Sequence, residues 1–171
     1  MKRYCSLLFV ILCSVALLAQ QPKYIFYFIG DGMGVNAVTL TEMYLAEIQG
    51  RIGAEPLKMT QFPYTGHLRN FSASNSITDS SAAGTCLASG KKTNNHMEGI
   101  EPNGEPAISV AETLKQQGWG VGVATSVSID HATPGAFYAH VPDRDDYYHI
   151  GQQLTRTNYD FFGGCTFNSP N

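Results

Sequence analysis

Four short runs of this sequence carry carboxylate, hydroxyl, imidazole and guanidinium groups at spacings that suit metal or anion chemistry. Asp31 stands in Gly30-Asp31-Gly32-Met33-Gly34. The glycines allow a sharp turn and a close approach by a ligand, and a carboxylate there is a hard ligand for Zn2+ or Mg2+. The plain alternative is an aspartate that only closes a glycine-rich turn. Thr78-Asp79-Ser80-Ser81-Ala82-Ala83-Gly84-Thr85 places Ser80 at the start of a small-residue helix, where unpaired N–H groups and the helix dipole favour an anion such as phosphate. A serine is a weak nucleophile until a base or a metal activates it. No histidine adjoins Ser80 and no G-x-S-x-G elbow is present, so a metal is the better activator. Helix capping by Asp79 or Ser80 is the competing role. In Ser128-Ile129-Asp130-His131-Ala132-Thr133-Pro134, an extended backbone would point His131 and Thr133 to one side, offering a nitrogen and a hydroxyl to one cation. A histidine beside a proline is also commonly structural. Arg144 has the planar fork that grips two phosphate oxygens, yet Asp143, Asp145 and Asp146 around it equally suit a surface ion pair.

Elements must hold these groups. Lys23 to Ile29 (KYIFYFI) is a continuous aromatic and β-branched run, expected as a strand covered on both faces. A helix is expected from there to about Gln49, with Gly50 at its C-terminal cap. Arg51 to Pro63 reads as irregular and Tyr64 to Phe71 as a second strand. Ser80 to Gly90 is helix-compatible, and Lys91 to Pro106 is a polar loop. Ala107 to Gln117 is expected as a helix stopped by Gly118 and Trp119 to Ser126 as a buried strand. A helix over Asp145 to Arg156 and a strand over Tyr159 to Cys165 complete the order. Strands alternate with helices, so the expected class is α/β, a doubly wound and mainly parallel sheet flanked by helices. In such sheets ligands gather where strands end, which is where Asp31 and His131 fall.

Composition narrows the function. Lys2 and Arg3 precede an apolar run from Leu7 to Ala19, a secretory signal pattern too short to span a bilayer, so residues 1–20 are expected to be removed on export to the periplasm or outside the cell. The remaining 21–171 have the size of one domain. Hydrophobic residues are 43%, which excludes disordered and collagenous classes. The net charge of −3 becomes more negative once Lys2 and Arg3 leave, so no basic patch exists for nucleic acid or an anionic membrane. Charged residues are only 15%, which points to surface covered by something else. Cys86 and Cys165 survive the signal; a disulfide between them is open, and Cys86 reads as a buried free thiol.

Taken together, FIGDGMG, TDSSAAGT, DHATPGAFYAH and an arginine four residues beyond that last histidine resemble the alkaline phosphatase family in order and spacing, from Tyr24 to about Phe167. The C/S-x-P-x-R context of a sulfatase is absent. The resemblance implies a metal-dependent hydrolase of phosphate monoesters. In it Ser80 is the nucleophile that becomes phosphoserine, Arg144 the phosphate clamp and Asp79 the acid that orients Arg144. It further implies Asp31 as a bridging metal ligand, and His131 with Thr133 as ligands of a third metal. Two Zn2+ are implied for the full enzyme, with Mg2+ in the third site, or Zn2+ given that histidine stands where some members have aspartate. A homodimer is compatible with it.

The family's Asp-x-x-x-His pair, Asp-His pair, late histidine and third-site glutamate have no counterpart in this sequence. We therefore expect the α/β domain to be incomplete at its C-terminus, and a non-catalytic fragment with residual metal or phosphate binding is the competing reading. His67 reads as a strand residue, His140 as structural, and His96 and His149 as solvated.

Overall fold

The computed structural model describes residues 22–168. The signal sequence expected over 1–20 lies outside them. Two compact units are present, one ending at Gly32 and one beginning at Met33.

In the first unit, the run expected as a covered strand joins no β-ladder among the described residues. Tyr24, Phe26 and Phe28 are 78%, 77% and 87% exposed. A strand exists through the neighbour that accepts its hydrogen bonds, and apolar composition alone does not provide one. Asp31 follows in a turn that the left-handed backbone of Gly32 (φ 68°) completes.

The second unit begins with α1, Val35–Glu47, whose end is closed as expected by Gly50 in the left-handed region, its N–H on the Glu47 carbonyl at 2.8 Å. Glu42 on this helix accepts from the Leu57 N–H and the Thr60 hydroxyl, which ties down a 3-10 turn, Lys58–Gln61. No ladder forms over 64–71, against expectation. Helix α2, Ser80–Ser89, runs from the Asp79 cap to Gly90 (φ 72°), within the expected bounds. Helix α3, Val110–Gln116, starts later than the apolar pattern implied. Ser109 forms a capping box with Glu112 and so defines the first turn.

Strand β1, Gly122–Ala124, is followed by the short helix α4, Ala132–Gly135, then α5, Tyr147–Arg156, and β2, Phe161–Gly163. The strands pair in parallel, Gly122 opposite Phe161 and Ala124 opposite Gly163. The α/β class is therefore as expected, but both strands are shorter than their apolar runs and β1 is half exposed instead of buried. Irregular bonds continue the pairing on either side, from Asp160 N–H to Val121 and from Cys165 N–H to Val127.

The core of this unit is Tyr138, Ala139, Val141 and Ile150, extended by Leu154, Tyr159 and Phe162. Phe162 meets the edge of Tyr138 at 5.3 Å between ring centres and stacks on Tyr159 at 5.6 Å. Each such side chain contributes about 1.5–3 kcal/mol on full burial, so the segment leading from α4 towards Arg144 is anchored by packing. Cys86 and Cys165 are both free thiols, with Cys86 only half-buried. No described helix is long and apolar enough to cross a membrane.

Candidate active site

The site grows from the N-terminus of α2. The first N–H groups of a helix lack intrahelical acceptors, and Asp79 serves them: Oδ1 accepts from the Ala82 N–H at 3.0 Å. Its other oxygen, Oδ2, accepts from the Ser81 hydroxyl at 2.8 Å and the His96 N–H at 2.9 Å, and faces Arg144 Nη1 at 3.5 Å. Burial pushes against ionisation of Asp79, but the Ala82, His96 and Ser81 donors and the Arg144 charge together hold its carboxyl below the usual range. One carboxylate thus caps the helix and faces the guanidinium. Ser80, the first residue of α2, is half-buried beside it.

Arg144 reaches this point through backbone contacts from a distant loop. Its N–H donates to the His96 carbonyl at 2.7 Å, and Glu98 and Val141 exchange an antiparallel pair of bonds at 3.0 and 2.9 Å. The Gly99 N–H bonds to the buried Thr85 hydroxyl of α2 at 2.8 Å. Residues 96–99 therefore link the serine helix to the arginine segment. His96 itself adopts a left-handed backbone (φ 70°), uncommon for a residue with a Cβ and of a kind that clusters at functional sites.

Helix α4 packs on α2 at Gly84, where an added Cβ would lie 3.1 Å from the Ala136 Cβ and 3.4 Å from the Ala132 carbonyl oxygen. The small-residue run is what permits this approach. The expectation of an extended 131–133 segment is corrected: only His131 is extended (φ −71°, ψ 154°), and Thr133 lies inside the first turn of α4. Pro134 occupies that same turn, where its fixed φ and missing N–H are tolerated. The His131 Nδ1 atom is buried with no hydrogen-bond partner among the described residues. An imidazole nitrogen left in that state fits a divalent cation. Asp31 lies in the turn of the other unit and is exposed.

Two features escaped the sequence reading, the burial of Glu98 and a cluster of ligand atoms beside Arg144. Glu98, in what read as a polar loop, is fully buried; its apolar neighbours Met97 and Ile100 were the available signal. His140 is structural as expected, with Nε2 on Glu112 Oε1 at 3.0 Å and Nδ1 against the Gly99 carbonyl. The Glu112 hydrogen bond chiefly raises the His140 pKa above its ordinary value. His96, Asp143 and Asp145 bring their ligand atoms within 4.8 Å of one another beside Arg144. All three are exposed, and such groups are common on protein surfaces, so they are not counted as metal ligands.

The model of the family described as "Alkaline phosphatase" matches residues 22–160. The chain is 32% identical over 136 residues to the tissue-nonspecific alkaline phosphatase isozyme of Gallus gallus, covering 73% of this chain and 26% of that protein. It is 31% identical over 139 residues to alkaline phosphatase of Gadus morhua, covering 75% and 29%. Among solved structures, the cold-active alkaline phosphatase of a psychrophilic Shewanella species superimposes with a TM-score of 0.71 at 30% identity, over 78% of this chain and 33% of that one. The Thermus thermophilus alkaline phosphatase gives 0.63 at 29% identity, over 73% and 26%. The chain spans about a quarter to a third of the length of these relatives. The parallel pair with its flanking helices is a part of the alkaline phosphatase-like α/β fold, and the chain belongs to the alkaline phosphatase family.

Proposed function

We propose that the chain carries the nucleophile and the phosphate clamp of a metal-dependent phosphomonoesterase. The observation that carries this reading is the double attachment of Asp79, which caps the helix that Ser80 begins and faces Arg144 at 3.5 Å. A phosphate monoester at this helix end meets the dipole of α2 and the Arg144 fork together. The Ser80 Oγ attacks phosphorus, the bond to the leaving alkoxide breaks, and the product is phosphoserine; Arg144 balances charge on the transferring group.

His131 and Thr133 would hold a third-site metal, and Asp31, in the other unit, is read by itself as a bridging metal ligand. In the full enzyme two Zn2+ would supply the Lewis-acid charge that lowers the pKa of the serine hydroxyl and neutralises the leaving oxygen. In a relative from the Antarctic bacterium TAB5, an aspartate put in place of a histidine accompanies Mg in the M3 site. That supports His131 as a third-site ligand, with Mg2+ or Zn2+ as its cation. Residues 1–20 act as an export signal on this reading, the mature protein works in the periplasm or outside the cell, and a homodimer is compatible with it.

A second reading, residual phosphate or metal binding without turnover, is favoured by one observation. Among the described residues, no three-ligand cluster of His, Cys, Asp and Glu includes His131. Hydrolysis of p-nitrophenyl phosphate at alkaline pH with Zn2+ and Mg2+, alongside calorimetry with inorganic phosphate, separates the two. We expect little or no turnover by the 171-residue chain. Phosphate binding should weaken about 10- to 100-fold in Arg144→Ala, the range for hydrogen bonds to charged groups. Turnover that survives Ser80→Ala would refute the nucleophile, and phosphate affinity indifferent to Arg144→Ala would refute the clamp.

A further inference from the structure

Helix α4 is four residues long and has no side-chain cap, so it cannot by itself fix the residue at its start, His131. The backbone ahead of it is fixed instead from residues 164–168, beyond β2. The Cys165 N–H donates to the Val127 carbonyl at 2.9 Å, and the Ile129 N–H to the Thr166 carbonyl at 3.0 Å. A Cβ on Gly164 would stand 3.0 Å from both the Cβ and the nitrogen of Ile129, so the two segments are in close contact. Asn168 completes the pairing. Its N–H meets Asp130 Oδ2 at 2.8 Å, and its Nδ2 donates to Asp130 Oδ1 at 3.2 Å and to the Ser128 hydroxyl oxygen. Asp130 and Ser128 are both buried. The Ser128 carbonyl in turn accepts the His131 N–H at 3.1 Å, and Tyr138, after α4, donates its hydroxyl to the Ile129 carbonyl at 2.7 Å.

We propose that Asp130 and Asn168 are positioning residues for His131, a buried clasp that sets the backbone from which the imidazole meets a third-site metal. The inference rests on reading His131 as a third-site ligand. His131 Nδ1 has no hydrogen-bond partner among the described residues. No bond at that atom orients the ring, and its placement follows from the backbone that carries it.

The chemistry of the two side chains suits the task. A carboxylate only accepts, so once it leaves water it needs donors. Asn168 brings its own N–H and a side-chain amide to the two oxygens of Asp130, and the same amide nitrogen reaches Ser128. Alanine at 168 would keep the backbone donor and lose the side-chain bonds, and glutamine would carry the amide one carbon too far. Bonds to a charged acceptor away from water are the stronger kind, which favours a single loop conformation.

The test uses the whole chain with isotope-labelled histidine rings. Zn2+ is titrated at one alkaline pH and followed by NMR at the His131 ring nitrogens, whose resonances are those lost in His131→Gln. Asn168→Ala should weaken the Zn2+ response by about 10-fold, the low end for losing a group that orients a metal ligand. Asp130→Asn combined with Asn168→Asp returns a donor and an acceptor with their places exchanged, and should recover most of that loss. Lys115→Met is the control. It breaks the pair with Asp160 just before β2, away from the clasp, and should leave the Zn2+ response as in wild type. Amide exchange without metal reads the clasp directly. In Asn168→Ala the Ile129 and His131 N–H groups should exchange about 10-fold faster relative to the Thr125 N–H, which bonds to Gly163. Equal Zn2+ losses in Asn168→Ala and Lys115→Met, no recovery in the exchanged pair, or unchanged exchange at 129 and 131 overturns the proposal. If Zn2+ leaves the His131 resonances of wild type unmoved, the third-site reading fails, and amide exchange alone decides the clasp. If Asn168→Ala does not fold, Ser128→Ala, which removes a hydroxyl partner of Asn168 Nδ2, takes its place with the same expectations.

Discussion

Gly99 offers a sharp test of how the site is assembled. Its backbone is left-handed (φ 62°), and a Cβ there would penetrate the Ala139 carbonyl oxygen, lying 2.9 Å from the carbonyl carbon and 3.0 Å from His140 Nδ1. The first effect costs an L-residue roughly 1–2 kcal/mol. The second has no cheap relief, because the obstacle is backbone in the packed core beside Ala139, which is itself fully buried. Retreat of either segment opens the Glu98–Val141 pair of bonds and the Gly99 N–H bond to Thr85. At about 1 kcal/mol net for each of three bonds, Gly99→Ala should cost about 4–5 kcal/mol, much of the 5–15 kcal/mol a typical domain possesses. Gly104 is the control, since its φ is 88° but a Cβ there meets nothing within 4 Å. Gly104→Ala should cost only the backbone share, roughly 1–2 kcal/mol. Urea unfolding followed by far-UV circular dichroism measures both. A difference below about 1 kcal/mol between the variants would refute the claim that residues 96–99 are clamped against the 139–141 backbone.

Two further outcomes follow from the same geometry. His140 has a raised pKa from its Glu112 bond, so its contribution to stability is complete below the unfolded value near 6.5 and is lost as pH rises through the folded value. Glu112, held below its ordinary value against burial by His140 and Ser109, contributes above the unfolded carboxylate value and loses that contribution as pH falls. Urea midpoints between pH 5.5 and 8.5 should therefore decline with pH in wild type and flatten in His140→Gln; parallel curves would remove His140 from the account. Gly84→Leu should destabilise by about 1–3 kcal/mol through overpacking, since even a first carbon at 84 stands 3.1 Å from Ala136. A thermal melt matching wild type would show that α2 and α4 do not meet at that glycine.

What the sequence made legible was local. The Asp79 cap, the glycine ends of α1 and α2 and the short reach of Gly84 are each decided within a few residues by hydrogen-bond supply and steric bulk. The strand over 23–29 was not so decided, because an apolar run states that burial is favourable and leaves the neighbour unnamed. His131 to Thr133 failed as an extended pair for a related reason. Pro134 is tolerated equally after an extended segment and inside a first helical turn, and the packing of α4 on α2 chooses the second.

Glu98 was invisible because charge in a polar loop ordinarily means solvent, and its burial is imposed by pairing with Val141 across 43 positions of chain. That same long-range pairing delivers Arg144 to Asp79. The setting of Ser80 is therefore written in local sequence, whereas the position of Arg144 is a tertiary product. Substitutions in residues 96–99 should consequently impair anion binding before they disturb α2, since α2 keeps its own caps at Asp79 and Gly90 whether or not the arginine arrives.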